Sequence, residues 1–179
     1  MLRSLGAHPG GGRARNTRAG VPRLTLSLAF LAAAIGSAQQ AAAQKVRVTN
    51  LSDVNFGLVS NFQADARRSQ NICLFSNSTG GRYSITASGS GSGSSFALSD
   101  GAHTLPYEVE WSDQSGQSSG ASLAPTVTST GRVSAATQQT CNSGPATSAS
   151  LIVVLRASSL TQAREGNYSG SLTLLVAAE

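Results

Sequence analysis

Short stretches in which apolar and polar residues alternate with a period of two, separated by runs of Gly and Ser, decide the backbone class of this chain. "RYSITAS" places Tyr83, Ile85 and Ala87 on one side and Ser84, Thr86 and Ser88 on the other. "LPYEVEWSD" sets Tyr107, Val109 and Trp111 against Glu108 and Glu110, and "SLTLLVAAE" sets Leu172, Leu174 and Val176 against Thr173 and Leu175. Such alternation marks a strand with one face on a core and the other toward water. "QNICLFSN" and "ASLIVVLRA" are apolar on both sides and read as strands buried on both faces. "KVRVTNLSDVNFGLVS" predicts two short strands, the first carrying Val46 and Val48, the second with Val54, Phe56 and Leu58 on one side, and "TVTSTGRVS" predicts a weak strand or hairpin. The chain lacks the Leu/Glu/Lys richness of a helical bundle, so the expected class is all-β, a sandwich of short strands.

The first residues follow a different rule. "MLRSLGAHPGGGRARNTRAGVPR" contains Arg3, Arg13, Arg15, Arg18 and Arg23 and no acid, and gives way to "LTLSLAFLAAAIGSA" and then "AQQAAAQ". A basic start, an apolar stretch and an Ala41-x-Ala43 exit predict a secretory signal peptide over residues 1–43, with an N-terminal anchor as the alternative. The apolar stretch from Leu24 to Ala38 is short for a bilayer span. Residues 44–179 then form one exported domain.

Removing that segment changes the charge balance. Five of the thirteen basic residues fall in it and none of the eight acids do, which leaves eight of each. A neutral domain without clustered Lys and Arg gives no support to a nucleic-acid partner. The one remaining basic doublet, Arg67-Arg68, is expected in a solvated loop.

Few residues could carry chemistry. Gly89 to Ser95, "GSGSGSS", precedes no helical period, so it reads as a flexible loop and not a phosphate cradle. Glu108 and Glu110 lie two apart on one strand and point the same way, whereas glycoside hydrolysis needs carboxylates on opposite sides of the scissile bond. They are expected on a wet outer face. His103 in "DGAHTLP" has no nucleophile-elbow context and reads as a loop residue. Two thiols and that one histidine are too few for a metal site, and nothing points to a cofactor or an enzyme. Cys73 and Cys141 in an exported chain predict a disulfide.

"DVNFG", "ICLFSNSTGGRYSITASGSG", "LPYEVEWSD", Cys141 and the ending "GNYSGSLTLLVAAE" together resemble the spore coat protein U-like domain, the pilin module of archaic chaperone–usher pili. The resemblance runs in order over nearly the whole of residues 44–179. Its most specific part is the ending, Gly-x-Tyr followed by alternating apolar residues. It implies an incomplete immunoglobulin-like sandwich, exported to the periplasm, held by a pilus chaperone, polymerised at an outer-membrane usher and packed against neighbouring pilus subunits at the cell surface. It implies no enzyme activity and no cofactor. Such a fold leaves an acceptor groove beside its last strand, here lined by Tyr168, Leu172, Leu174 and Val176, which strand addition from a partner fills.

The family's usual N-terminal donor segment is reduced here to "QKVRVTNLSD", in which Val46 and Val48 alternate correctly and the pattern breaks at Asn50-Leu51. Either this piece donates or the subunit only accepts. The expected function is a structural pilus subunit serving adhesion or biofilm formation. The alternative is a free-standing secreted β-sandwich that binds a surface glycan or protein through Trp111, Tyr107 and the Ser/Gly loops.

Overall fold

Ala149–Leu155 is the most buried strand of the chain, with all seven residues withdrawn from solvent, and the fold is organised around it. The structure is a computed structural model that describes residues 43–142 and 144–179. Residues 1–42 of the segment that the sequence predicts as a signal peptide lie outside the described residues. In chain order the strands are β1 (Val46–Thr49), β2 (Ala66–Ser76), β3 (Arg82–Gly89), β4 (Ala97–Ser99), β5 (Thr104–Pro106), β6 (Glu108–Ser112), β7 (Ala121–Leu123), β8 (Thr128–Val133), β9 (Ala149–Leu155) and β10 (Leu172–Ala178). One helical turn, α1 (Ala157–Leu160), follows β9.

Two antiparallel sheets face each other, one ordered β1-β2-β9-β6-β7 and the other β10-β3-β8, with β4 and β5 forming a separate hairpin. The class is all-β, a β-sandwich. Between the sheets lie Ile72 and Leu74 of β2, Tyr83, Ile85 and Ala87 of β3, Val109 and Trp111 of β6, and Leu151, Val153 and Leu155 of β9. These are the inward positions that period-two alternation selects. Trp111 is fully buried against the edge of Tyr83, with the rings 6.5 Å apart at 72°.

The outer face of the five-stranded sheet differs at β6 from the expectation of a wet surface. Ser150, Ile152 and Val154 point away from the core on β9 and are fully buried, so β9 is covered on both faces as its sequence predicts. The loop after β6 folds back over them. Ser150 Oγ sits 2.9 Å from Gln114 O and 3.1 Å from Asn71 Oδ1, and accepts from Gln117 N–H at 3.1 Å. Glu110 is therefore buried and not solvated. Its carboxylate takes two bonds from Arg67 and one from Gly120 N–H, each 3.0–3.1 Å. Glu108, half-buried, receives Arg156 at 2.5 Å. The Arg67-Arg68 doublet lies on β2, not in a loop, because Arg67 has this carboxylate to meet and Arg68 covers the Phe56 ring at 5.7 Å.

Cys73 and Cys141 are bonded to each other. Cys73 is on β2, whereas Cys141 lies in the connection from β8 to β9, so the bridge ties a loop to a strand. Ser148 helps hold that loop, its Oγ accepting from Leu74 N–H at 3.0 Å and donating to Leu74 C=O at 2.8 Å, as a backbone neighbour would.

The second strand expected after β1 does not form. Gly57 N–H donates to Asn55 Oδ1 at 2.7 Å and Gly57 takes φ 63°, a conformation glycine adopts at little cost, so the alternation stops there. Val54 and Phe56 still turn partly inward, but Leu58 is 95% exposed.

Candidate functional site

The two flanks of the sandwich are built differently. On one flank a single segment passes from sheet to sheet. It leaves β7 beside β6, bridges Ala87 of β3 at Pro125, donates from Thr126 N–H to Ala87 C=O at 2.7 Å, and continues as β8. On the other flank stand β1 and β10, each at the edge of its own sheet. They run close to one another but form no ladder, and among the described residues no strand pairs with the free edge of either.

β10 forms where it does because its sequence alternates and because small residues lead into it. A β-carbon on Gly166 would come within 2.9 Å of Asp100 Oδ2, and one on Gly170 within 2.9 Å of Ser90 Oγ. The chain can approach the β4–β5 hairpin only through such residues, and Ser169 then bridges Ser99 by two backbone bonds of 2.8 and 3.0 Å. From Leu172 onward β10 pairs with β3, Leu174 opposite Ala87 and Val176 opposite Ile85.

On β10 Leu172, Leu174, Val176 and Ala178 turn inward and Thr173, Leu175 and Ala177 outward. The inward set is only half-buried, unlike the fully covered inward residues of β3 and β9. Half-buried apolar residues packed on the core come from both borders of this flank: Val48, Val54, Phe56 and Val59 from β1 and the segment after it, and Leu172, Leu174 and Val176 from β10. The strand carries no ionisable side chain. What this arrangement can do is accept an extended segment: backbone groups in the plane of the sheet, apolar side chains beneath it.

Leu172, Leu174 and Val176 thus share one inward face on this flank. Tyr168 precedes β10 in the loop, half-buried and packed on the same core, with its hydroxyl donating to Arg164 C=O at 3.1 Å. Val46 and Val48 are engaged in their own sheet, Val46 opposite Ser76 and Val48 opposite Leu74. Val54, Phe56 and Val59 join the flank, although the sequence singles out none of them for it; the apolar spacing of Val54, Phe56 and Leu58 predicts a strand instead.

The segment after β1 is fixed by side chains where a ladder is missing. Gln70 accepts from Ser52 N–H at 2.9 Å and donates to Ser52 C=O at 3.0 Å, and Arg68 donates to the carbonyls of Asn55 and Phe56 at 3.3 and 3.2 Å. Elsewhere His103 Nδ1 lies 3.1 Å from Asp100 Oδ2 in an exposed turn. Among the described residues no group of three or more His, Cys, Asp or Glu could hold a metal, and no helix is long and apolar enough to cross a membrane.

No family model matches the chain, and no curated protein matches it. Several solved structures are similar to it, two of them as follows. One is a chaperone–tip adhesin complex of CFA/I fimbriae, at 16% identity and a TM-score of 0.44, covering 76% of this chain and 41% of that one. The other is the CsuC–CsuE chaperone–tip adhesion subunit pre-assembly complex from archaic chaperone–usher Csu pili of Acinetobacter baumannii, at 19% identity and a TM-score of 0.39, covering 75% of this chain and 39% of that one. The chain therefore spans about two fifths of the length of the chains it is similar to.

Proposed function

We propose that this chain is a structural subunit of a chaperone–usher surface pilus, assembled by donor-strand exchange and serving adhesion or biofilm formation. The observation that carries the reading is the open flank, where β10 presents an unpaired edge above half-buried Leu172, Leu174 and Val176. An edge of that kind invites pairing with another chain unless something occupies it. A partner strand added there satisfies the backbone and covers the apolar floor at once. The motif resemblance to the spore coat protein U-like domain supports the same reading. Its partners are then a periplasmic chaperone, an outer-membrane usher and neighbouring subunits, and export ends with cleavage near Ala43. Val46 and Val48 pair with β2 here, so a donor role for them requires β1 to leave its own sheet, and the proposal assigns them none.

The free-standing binding module loses its aromatic contact set, since Trp111 is fully buried and Tyr107 nearly so. The test is a donor supplied in cis. An alternating apolar segment fused through a flexible linker beyond Glu179 acts at about millimolar effective concentration. The expected result is a marked rise in the thermal midpoint of the processed chain. An unchanged midpoint, with a stable unfused monomer, would overturn the proposal.

A further inference from the structure

The free edge of β10 is complementary to itself, and its phase can be read from the ladder. Glu179 and Arg82 continue the β10–β3 register, and Glu179 N–H donates to Arg82 C=O at 3.3 Å. In an antiparallel ladder bonded and non-bonded pairs alternate. Thr173, Leu175 and Ala177 therefore turn their backbone groups toward β3, while Leu172, Leu174, Val176 and Ala178 turn theirs toward the free edge. Ala87 agrees with this phase: it stands opposite Leu174, and its carbonyl points away from β10 to accept from Thr126 N–H.

The four residues whose backbone groups face the free edge are symmetric about Leu175. When a second β10 lies antiparallel with Leu175 opposite Leu175, Leu174 meets Val176 of the second copy and Leu172 meets its Ala178. Every backbone group on the free edge of the strand then has a partner. The two-fold axis falls on a non-bonded pair, where facing Cα atoms come to about 4.5 Å and side chains on one face touch. The side chain at that point is Leu175, 68% exposed on the outer face of the sheet.

Nothing on the strand opposes such pairing. "LTLLVAA" has no charge and no proline, and it pairs with β3 without a register shift, so the usual guards of a free edge are missing. Glu179, the charge that follows the strand in sequence, falls at opposite ends of the paired strands, where the two copies of it do not repel.

We propose that two copies of this chain pair through β10 in an isologous contact centred on Leu175, giving one continuous sheet β8-β3-β10-β10-β3-β8. The contact occupies the edge that an entering donor strand needs, so the two exclude each other. The dimer follows from the edge alone, and only this exclusion rests on the pilus reading.

The test uses the exported, processed chain in sedimentation velocity and oxidative cross-linking. The expected result is a dimer in which Leu175→Cys forms an intermolecular disulfide, Thr173→Cys alone does not, and Thr173→Cys mixed with Ala177→Cys does. Leu175→Lys sets like charges face to face and weakens dimerisation roughly tenfold or more, while its circular dichroism stays that of the parent. A chain that stays monomeric overturns the proposal. So does a dimer that Leu175→Lys leaves intact and Leu175→Cys fails to link. A monomer that a fused donor still stabilises overturns the dimer and leaves the pilus reading standing. A Leu175-centred dimer that a fused donor neither stabilises nor dissociates does the reverse.

Discussion

Arg67 on β2 and Glu110 on β6 join hands across the strand between them, with Nη1 donating to Oε2 at 3.0 Å and Nη2 to Oε1 at 3.1 Å. Beneath the fork lies β9, whose Val154 is opposite Arg67 and whose Ile152 is opposite Glu110. The pair roofs apolar side chains that would otherwise meet water on the outer face. Burial pushes the Glu110 carboxyl up, but the bonds from Arg67 and from Gly120 N–H outweigh it and hold the group below its usual value.

This relationship sets the acid behaviour of the domain. A carboxyl whose folded pKa is depressed contributes stability that is present above its unfolded pKa and is lost as pH falls through the folded one. Asp65 acts in the same direction, held low by Ala157 N–H and then by Arg156. Stability is therefore expected to be level above the ordinary carboxylate range and to decline below it. Glu110→Gln should cost about 1.5–3 kcal/mol near neutrality, toward the lower end because Arg67 is one-third exposed, and should flatten the acid limb. Urea unfolding at a series of pH values checks both. An acid limb identical in Glu110→Gln and the parent would show that the decline comes from other groups.

Tyr83 makes the opposite prediction at high pH. Its hydroxyl donates to Asp113 Oδ1 at 2.5 Å and accepts from Trp111 Nε1–H at 2.7 Å. Burial first, and then the bond to Asp113, raise its pKa well above the ordinary tyrosine value. The unfolded chain ionises this group near pH 10 while the folded chain does not, so the stability it contributes is complete below pH 10 and falls as pH rises beyond it. Ultraviolet titration of the folded protein should show one tyrosine that ionises only on unfolding, absent in Tyr83→Phe. That variant should lose about 1–2 kcal/mol at neutral pH.

The Cys73–Cys141 bridge spans 68 residues of sequence, and both of its residues are buried. The loop-entropy estimate for such a closure is about 4 kcal/mol, and native bridges in small exported domains contribute about 2–5 kcal/mol. Cys73→Ala with Cys141→Ala should lower the unfolding free energy within that range. Labelling of the non-reduced, denatured parent should find no free thiol. Because β1 pairs with β2 where Cys73 sits, Thr49 opposite it, hydrogen exchange in β1 should quicken on removing the bridge.

The strands that alternate or are apolar throughout were legible in the sequence, because each reports its own burial: β3, β6, β9 and β10 lie where the pattern placed them. What was not legible depended on contacts distant in sequence. Glu110 read as solvated because nothing local announces that a polar loop returns to cover it, with Gln114 and Gln117 meeting Ser150. Val54 and Phe56 read as a strand because the Asn55–Gly57 turn interrupts a pattern whose apolar spacing is unbroken. The hairpin of β4 and β5 is too short, at three residues a strand, to carry a period. At the site, the inward face of Leu172, Leu174 and Val176 followed from alternation alone. Tyr168 packs on the same core from the loop before β10, because the chain must first pass Gly170 at the hairpin before a regular strand can begin.

The two faces of β10 should respond differently to an introduced charge. Only one face of a strand meets the core, so substitutions one residue apart should behave differently if a partner strand completes this flank. Leu174 points inward, half-buried, where an added donor would cover it, and Thr173 points outward to solvent. Leu174→Asp should abolish the gain in thermal midpoint from a fused donor, because the charge would be sealed beneath the added strand without a counterion. In the unfused chain the same charge keeps access to water and should cost less. Thr173→Asp should leave the donor's effect intact. The donor should show the matching asymmetry, with Asp at its inward positions blocking the effect and Asp at its outward positions tolerated. Differential scanning calorimetry of the four fused variants and the fused parent, beside the unfused parent, Leu174→Asp and Thr173→Asp chains, gives the comparison. If Leu174→Asp and Thr173→Asp change the fused and unfused chains by equal amounts, the donor is not entering over β10, and the open flank is not the acceptor.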